Sequence, residues 1–127
     1  MKILLTSDWY IPAVNGVVTS LLALRRQLTR QGHEVRVLTL SGSLHSHQEE
    51  GVYALGSVDA GMIYPGARLR APEGDALIRE LIAWGPDIVH SQCEFSTFAP
   101  ARRIAKACGV PLVHTYHTVY EDYTHYF

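Results

Sequence analysis

Residues 1–40 read MKILLTSDWY IPAVNGVVTS LLALRRQLTR QGHEVRVLTL, and the order of patterns within them decides the fold. Ile3 to Ser7 is a short apolar run of the kind that forms a buried strand. Leu21, Leu22, Leu24 and Leu28 then recur at helical spacing up to Gly32, a natural stop. Glu34 to Leu40 follows at once with Val35, Val37 and Leu38, a second strand. Strand, helix and strand at this spacing make a βαβ unit, which implies a right-handed crossover between parallel strands. The expected class is α/β, with a doubly wound parallel sheet.

Working outward, the pattern breaks between Ser41 and Gly74, where Gly42, Gly51, Gly56, Gly61, Pro65, Gly66 and Pro72 punctuate short apolar pieces. One short strand, Val52 to Leu55, and mobile loops are expected there. Helical rhythm returns from Asp75 to Trp84 through Leu77, Ile78, Leu81 and Ile82, and Gly85-Pro86 stops it before a strand over Asp87 to Ser91. Phe95 to Cys108 reads as another helix with Gly109 as its left-handed C-cap, followed by a strand over Val110 to Tyr116 with Pro111 tolerable at its start. No repeat or low-complexity segment interrupts this order.

With 127 residues, 47% hydrophobic and 18% charged, the chain has the size and apolar content of one globular domain. A net charge of -1 gives no basic excess to attract nucleic acid, so none is expected as a partner. The two cysteines, Cys93 and Cys108, show no metal or disulfide spacing and fit a reducing, cytoplasmic compartment. Met1 to Thr6 is too short for a signal peptide, and no apolar run approaches the ~18 residues of a membrane span. Membrane association is therefore expected to be peripheral.

In a doubly wound sheet, ligands meet the carboxyl ends of the strands at the point where strand order reverses. Those ends are Asp8 to Gly16, Gln92 to Ser96, and His117 onward. The first is Ser7-Asp8-Trp9-Tyr10-Ile11-Pro12-Ala13-Val14-Asn15-Gly16-Val17, a loop that ends in Asn-Gly where a helix starts. Two readings stand on spacing alone. Helix N-terminal N–H groups carry about half a positive charge and would receive an anion that Gly16 allows close to the backbone. Equally, Asn15 is a good N-cap in a tight turn.

Asp8, Tyr10, Pro12, Asn15, Gly16 and Val17 resemble the opening signature of the family-4 glycosyltransferases, commonly Asp-x-Tyr-x-Pro-x-x-Asn-Gly-Val. Trp9 fills a variable position. The resemblance implies a Rossmann-like domain, the N-terminal, acceptor-side half of a GT-B glycosyltransferase spanning residues 1–127, incomplete and without its donor half. It also implies that Gly16 and Asn15 approach the donor diphosphate. Asp8 is expected to orient the loop, and with Tyr10 it joins the acceptor-side candidates.

Thr115-Tyr116-His117-Thr118-Val119-Tyr120-Glu121-Asp122-Tyr123-Thr124-His125-Tyr126 carries four tyrosines, two histidines and two carboxylates in twelve residues. It resembles the matching stretch of the bacterial diacylglycerol glucosyltransferases, with Val119 where Met is usual. The resemblance makes His117 the cleft histidine, the catalytic candidate, which would hydrogen-bond the transferred sugar or the charge developing at its anomeric centre. A neutral imidazole donates from one nitrogen and accepts at the other, as such positioning needs, and a structural histidine remains the alternative. Tyr120 and Glu121 are further acceptor-side candidates, as are Ser91, Gln92 and Glu94 in the segment after Asp87-Ile88-Val89-His90. Adjacent Glu121 and Asp122 project to different sides and form no glycosidase-like couple. His114, His117 and His125 would share a metal only through an irregular turn, because His114 and His117 have opposite parity on a strand; no metal is expected. Cys93 beside Glu94 lacks a histidine at nucleophile-activating spacing. His33, after the Gly32 stop, is expected to answer the helix dipole. Met62, Ile63, Tyr64, Arg68, Leu69 and Arg70 mix apolar anchors with cations, as a membrane-resting or an ordinary surface loop does.

The resemblance implies retaining transfer of glucose from a UDP-sugar donor to a diacylglycerol or other lipid acceptor, at the inner face of the plasma membrane. No cofactor is called for, since the nucleotide-sugar is a substrate; Mg2+ is compatible with it but asked for by no residue here. The alternatives are another acceptor, such as a phosphatidylinositol or a soluble sugar, and a non-catalytic nucleotide- or anion-binding regulatory domain. The domain alone is expected to be inactive and, with an apolar edge uncovered, to self-associate.

Overall fold

The computed structural model describes residues 1–10, 16–59, 68–70, 74–92 and 96–115. Among them the elements run β1 (Lys2–Thr6), α1 (Gly16–Arg30), β2 (Glu34–Leu40), β3 (His47–Glu49), β4 (Val52–Leu55), β5 (Ser57–Asp59), β6 (Arg68–Arg70), α2 (Asp75–Trp84), β7 (Ile88–Ser91), α3 (Phe98–Cys108) and β8 (Leu112–His114). Six strands form one sheet in the order β3-β4-β2-β1-β7-β8, all parallel except β3 at the edge. The fold is Rossmann-like α/β, as the βαβ reading of residues 1–40 requires.

Strand alternation sorts the side chains onto two faces, and each face has its own core. Ile3, Leu5 and Val37 pack with Leu21 and, more loosely, Leu22, Leu24 and Leu28 of α1. Leu4, Leu38, Leu40, Tyr53, Leu55 and Val89 turn the other way, onto Ile78 and Leu81 of α2 and Ala101, Ile104 and Ala105 of α3. A sheet apolar on both faces must be covered on both, which is why the helices divide between them. Beside the second core, the Arg36 guanidinium lies 4.5 Å from the Trp84 ring centroid and 5.6 Å from that of Tyr53, and donates to the Tyr53 hydroxyl at 2.7 Å. Trp84 Nε1 donates in turn to Glu34 at 3.1 Å, so cation–π and hydrogen-bond contacts pin α2 to β2.

Four expectations are corrected. Among the described residues of 41–74 there are four short strands rather than one. β3 pairs with β4 through a two-residue turn in which Glu50 (φ 48) and Gly51 (φ 78) are both left-handed, the geometry of a tight hairpin. β5 and β6 form a separate antiparallel pair. The last described helix begins at Phe98, not Phe95, and the last described strand is Leu112–His114 rather than Val110–Tyr116, with Tyr116 outside the described residues. Gly109 does cap α3, at φ 65, its N–H bonded to the Ala105 and Lys106 carbonyls. At the end of α1 the His33 backbone N–H bonds the Leu28 carbonyl, while its Nδ1 lies 3.2 Å from the Met1 amine rather than at the helix carbonyls.

Leu38 is fully buried beneath α2 and α3, whereas Leu44 is 57% exposed on the loop after β2. Urea unfolding followed by circular dichroism should show Leu38→Ala losing about 2–5 kcal/mol. Leu44→Ala should stay within about 0.5 kcal/mol of wild type.

Candidate functional site

The strand order reverses between β1 and β7: the crossover through α1 leads from β1 to β2 on one side, and that through α3 leads from β7 to β8 on the other. At this switch point Thr6 and Ser91 are register partners. The ladder continues past both strands, with the Gln92 N–H donating to the Thr6 carbonyl at 2.8 Å and the Ser7 N–H to the Leu38 carbonyl at 3.0 Å. Thr6, Ser7, Ser91 and Gln92 are all buried. These buried polar residues give this end of the core a polar rim.

Asp8 sits at the centre of that rim, 7% exposed. Its Oδ1 accepts from the Thr97 N–H at 2.9 Å and the Thr97 hydroxyl at 2.7 Å, and its Oδ2 accepts from the Ser96 N–H at 2.9 Å. These donors lie where α3 starts, so the carboxylate meets the positive end of a helix whose first turn has no acidic residue of its own. Burial pushes the Asp8 carboxyl above its usual range, against the lowering pull of the Thr97 and Ser96 hydrogen bonds.

On the far side of β7, His90 Nε2 and Thr115 Oγ1 are 2.5 Å apart, and the Thr115 N–H donates to the Ser91 carbonyl at 2.9 Å. His114 turns to the α3 face, its ring edge-on to Phe98 with centroids 5.6 Å apart. Tyr10 packs in the α1-side core, where Arg25 donates to its hydroxyl at 2.8 Å. Gly16 opens α1, whose first turn carries no acidic residue. Among the described residues a Cβ at Gly16 would meet no heavy atom within 4 Å, and its φ is not left-handed. Neither the packing of those residues nor the backbone geometry therefore demands glycine at this position.

Of the residues singled out from the sequence, the structure brings Asp8, Ser91 and Gln92 together at the switch point. It places Tyr10 beneath α1 and Gly16 at the start of that helix. Asn15, Glu94, His117, Tyr120 and Glu121 lie outside the described residues. Sequence reading missed Ser96 and Thr97, the partners of Asp8. Ser-Thr directly before an apolar run is an N-cap signal, and it was masked by starting the helix at Phe95.

Residues 14–127 match the family described as Glycosyltransferase Family 4. This chain belongs to glycosyltransferase family 4. It is 33% identical over 127 residues to the alpha-monoglucosyldiacylglycerol synthase of Streptococcus pneumoniae (strain ATCC BAA-255 / R6), covering 99% of this chain and 29% of that protein. It is 33% identical over 131 residues to the alpha-monoglucosyldiacylglycerol synthase of Acholeplasma laidlawii, covering 99% of this chain and 32% of that protein. The family-4 domain thus spans about a third of the length of these relatives, and the family belongs to the GT-B fold. Among the described residues no helix is long and apolar enough to cross a membrane.

The environment of Asp8 makes this domain's stability depend on pH in a defined direction. A carboxyl whose folded pKa lies above its ordinary 3.8 binds its proton more tightly in the folded state than in the unfolded one. Its contribution to stability therefore falls as pH rises through the window between those two values, and recovers as pH drops. Asp8→Asn removes this titration and sets an amide donor against a backbone N–H, at a cost of about 1–3 kcal/mol. In urea titrations from neutral pH toward pH 4, the stability of wild type relative to Asp8→Asn should grow. A difference that shrinks would contradict the assignment.

Proposed function

We propose that this domain is the N-terminal, acceptor-side half of a retaining transferase that moves glucose from UDP-glucose to the free hydroxyl of diacylglycerol. The observation that carries the reading is the 33% identity, sustained over 99% of the chain, to two alpha-monoglucosyldiacylglycerol synthases. An alpha product from an alpha-linked nucleotide-sugar is retention. Diacylglycerol resides in a bilayer, so the enzyme works as a peripheral protein at the cytoplasmic face, where nucleotide-sugars are available.

In this reading the donor diphosphate lies at the N-terminus of α1. The dipole of a helix start favours an anion, no acidic side chain of the first turn opposes it, and among the described residues nothing crowds Gly16, so a phosphate could come close to its backbone. His117 hydrogen-bonds the sugar being transferred and steadies the charge that develops at the anomeric carbon. The acceptor oxygen bonds to that carbon as the bond to the diphosphate breaks, and the leaving diphosphate takes the acceptor proton. Ser91 and Gln92, buried at the carboxyl end of β7, belong to the acceptor side. The second GT-B half supplies most of the grip on the donor.

Transfer of radiolabelled sugar from UDP- and GDP-sugars, measured with a protein carrying this domain and its donor half, tests the reading directly. Glucosylation of diacylglycerol from UDP-glucose is expected. Residues 1–127 alone should show no transfer, should bind UDP-glucose weakly or not at all in isothermal titration, and should self-associate. Exclusive use of a soluble acceptor would overturn the lipid assignment.

Two variants separate ligand roles from folding roles. Gly16→Val should abolish turnover while the circular dichroism spectrum stays native, because a branched side chain fits the protein there but fills the space for phosphate. His117→Ala should lower kcat by about 10²-fold or more with little loss of stability. Native turnover in Gly16→Val would return Gly16 to the role of a turn residue, and restoration of a chelated enzyme by zinc would bring back a metal role for the histidines.

A further inference from the structure

We propose that Asp8 is a positioning residue for the transfer: without touching either substrate, it holds the chain leaving β1 and the turn opening α3 in one fixed relation across the switch point. The proposal rests on the transferase reading above and names the residue that keeps the carboxyl ends of β1 and β7 in register.

The geometry carries the argument. Asp8 lies two residues beyond β1, while Ser96 and Thr97 lie 88 and 89 residues further along the chain. Three hydrogen bonds of 2.7–2.9 Å therefore tie chain segments that the sheet joins only below, at β1 and β7. Both carboxylate oxygens are engaged by donors at the start of α3, and the side chain is 7% exposed. Such a group has little surface left to offer a sugar hydroxyl or a phosphate, so its influence on a reaction passes through the backbone it holds. Its charge has a second consequence. Two helices, α1 and α3, begin near the carboxyl ends of neighbouring strands, and either N-terminus would favour an anion. Asp8 already supplies the negative charge at α3. The donor phosphate is left with α1, whose first turn carries no acid.

The test uses variants at the far end of the contact, compared with Asp8 itself in the two-domain enzyme that carries this chain. Thr97→Val keeps the shape and removes only the hydroxyl bond to Asp8; Thr97→Ser keeps that bond. With each enzyme assayed well below its own Tm, Thr97→Val should lower kcat about 3- to 10-fold, and Thr97→Ser should recover wild-type turnover. Asp8→Asn should lower kcat at least about 10-fold, and the Asp8→Asn/Thr97→Val double variant should fall within about threefold of Asp8→Asn, because both changes act on one contact. If Asp8→Asn does not fold, the two Thr97 variants decide alone. Amide exchange at Ser96 and Thr97 should quicken in Thr97→Val while the unfolding midpoint moves little. Wild-type kinetics in Thr97→Val, or losses that multiply in the double variant, would show that Asp8 acts on substrate directly and overturn the proposal alone. Failure of the wild-type enzyme to transfer any sugar would overturn the functional reading and this proposal with it.

Discussion

A carboxylate withdrawn from water must be met by donors, and the contact of Asp8 with Ser96 and Thr97 is the interaction on which the upper end of this domain depends. The sheet alone brings β1 and β7 side by side, but parallel pairing says nothing of how the chain leaves each strand. At the switch point both chains leave through polar residues, and the backbone N–H groups at the start of α3 have no partners within the helix. Asp8 supplies them. The donors it collects offset only part of the cost of burying the charge, and they are placed by the turn that opens α3.

Below that rim, stability rests on ordinary packing. Alternation along β1, β2, β4 and β7 divides the apolar side chains between two cores, one roofed by α1 and the other by α2 and α3. Arg36, held between the Trp84 and Tyr53 rings, joins the amino-terminal part of β2 to the end of α2, so the base of the sheet is bound by contacts as specific as those at its top. Two well-tied ends and two covered faces make a rigid frame for loops. Such a frame suits the proposed transfer, which needs two substrates held within bonding distance. Among the described residues β8 is an edge strand of the sheet, with Val113 43% exposed.

Much of the frame was legible in the residues themselves. Glu34 to Leu40 and Asp75 to Trp84 were read with the boundaries observed, because Val35, Val37 and Leu38, and Leu77, Ile78, Leu81 and Ile82, state their periods plainly. The short strands of residues 41–74 were not. His47, Gln48 and Glu49 are exposed on an edge, and they pair through a Glu50-Gly51 turn that lacks the Asn or Asp usual at its first position. With no face to bury, an edge strand of three residues leaves no periodic trace.

The sequence by itself determined the fold class, the order of the main elements and the loop signatures that mark the family, because each of these follows from local periodicity, turn chemistry or residue identity. Tertiary structure alone decided what the marked residues meet. Asp8 reads as a loop residue in any local window, and its partners lie 88 and 89 positions away. Tyr10 stands in the same signature, yet it is taken into the core by α1 and by Arg25. Local pattern specifies elements; which polar side chain ends buried, and against which donor, is settled only when strands distant in sequence are brought together.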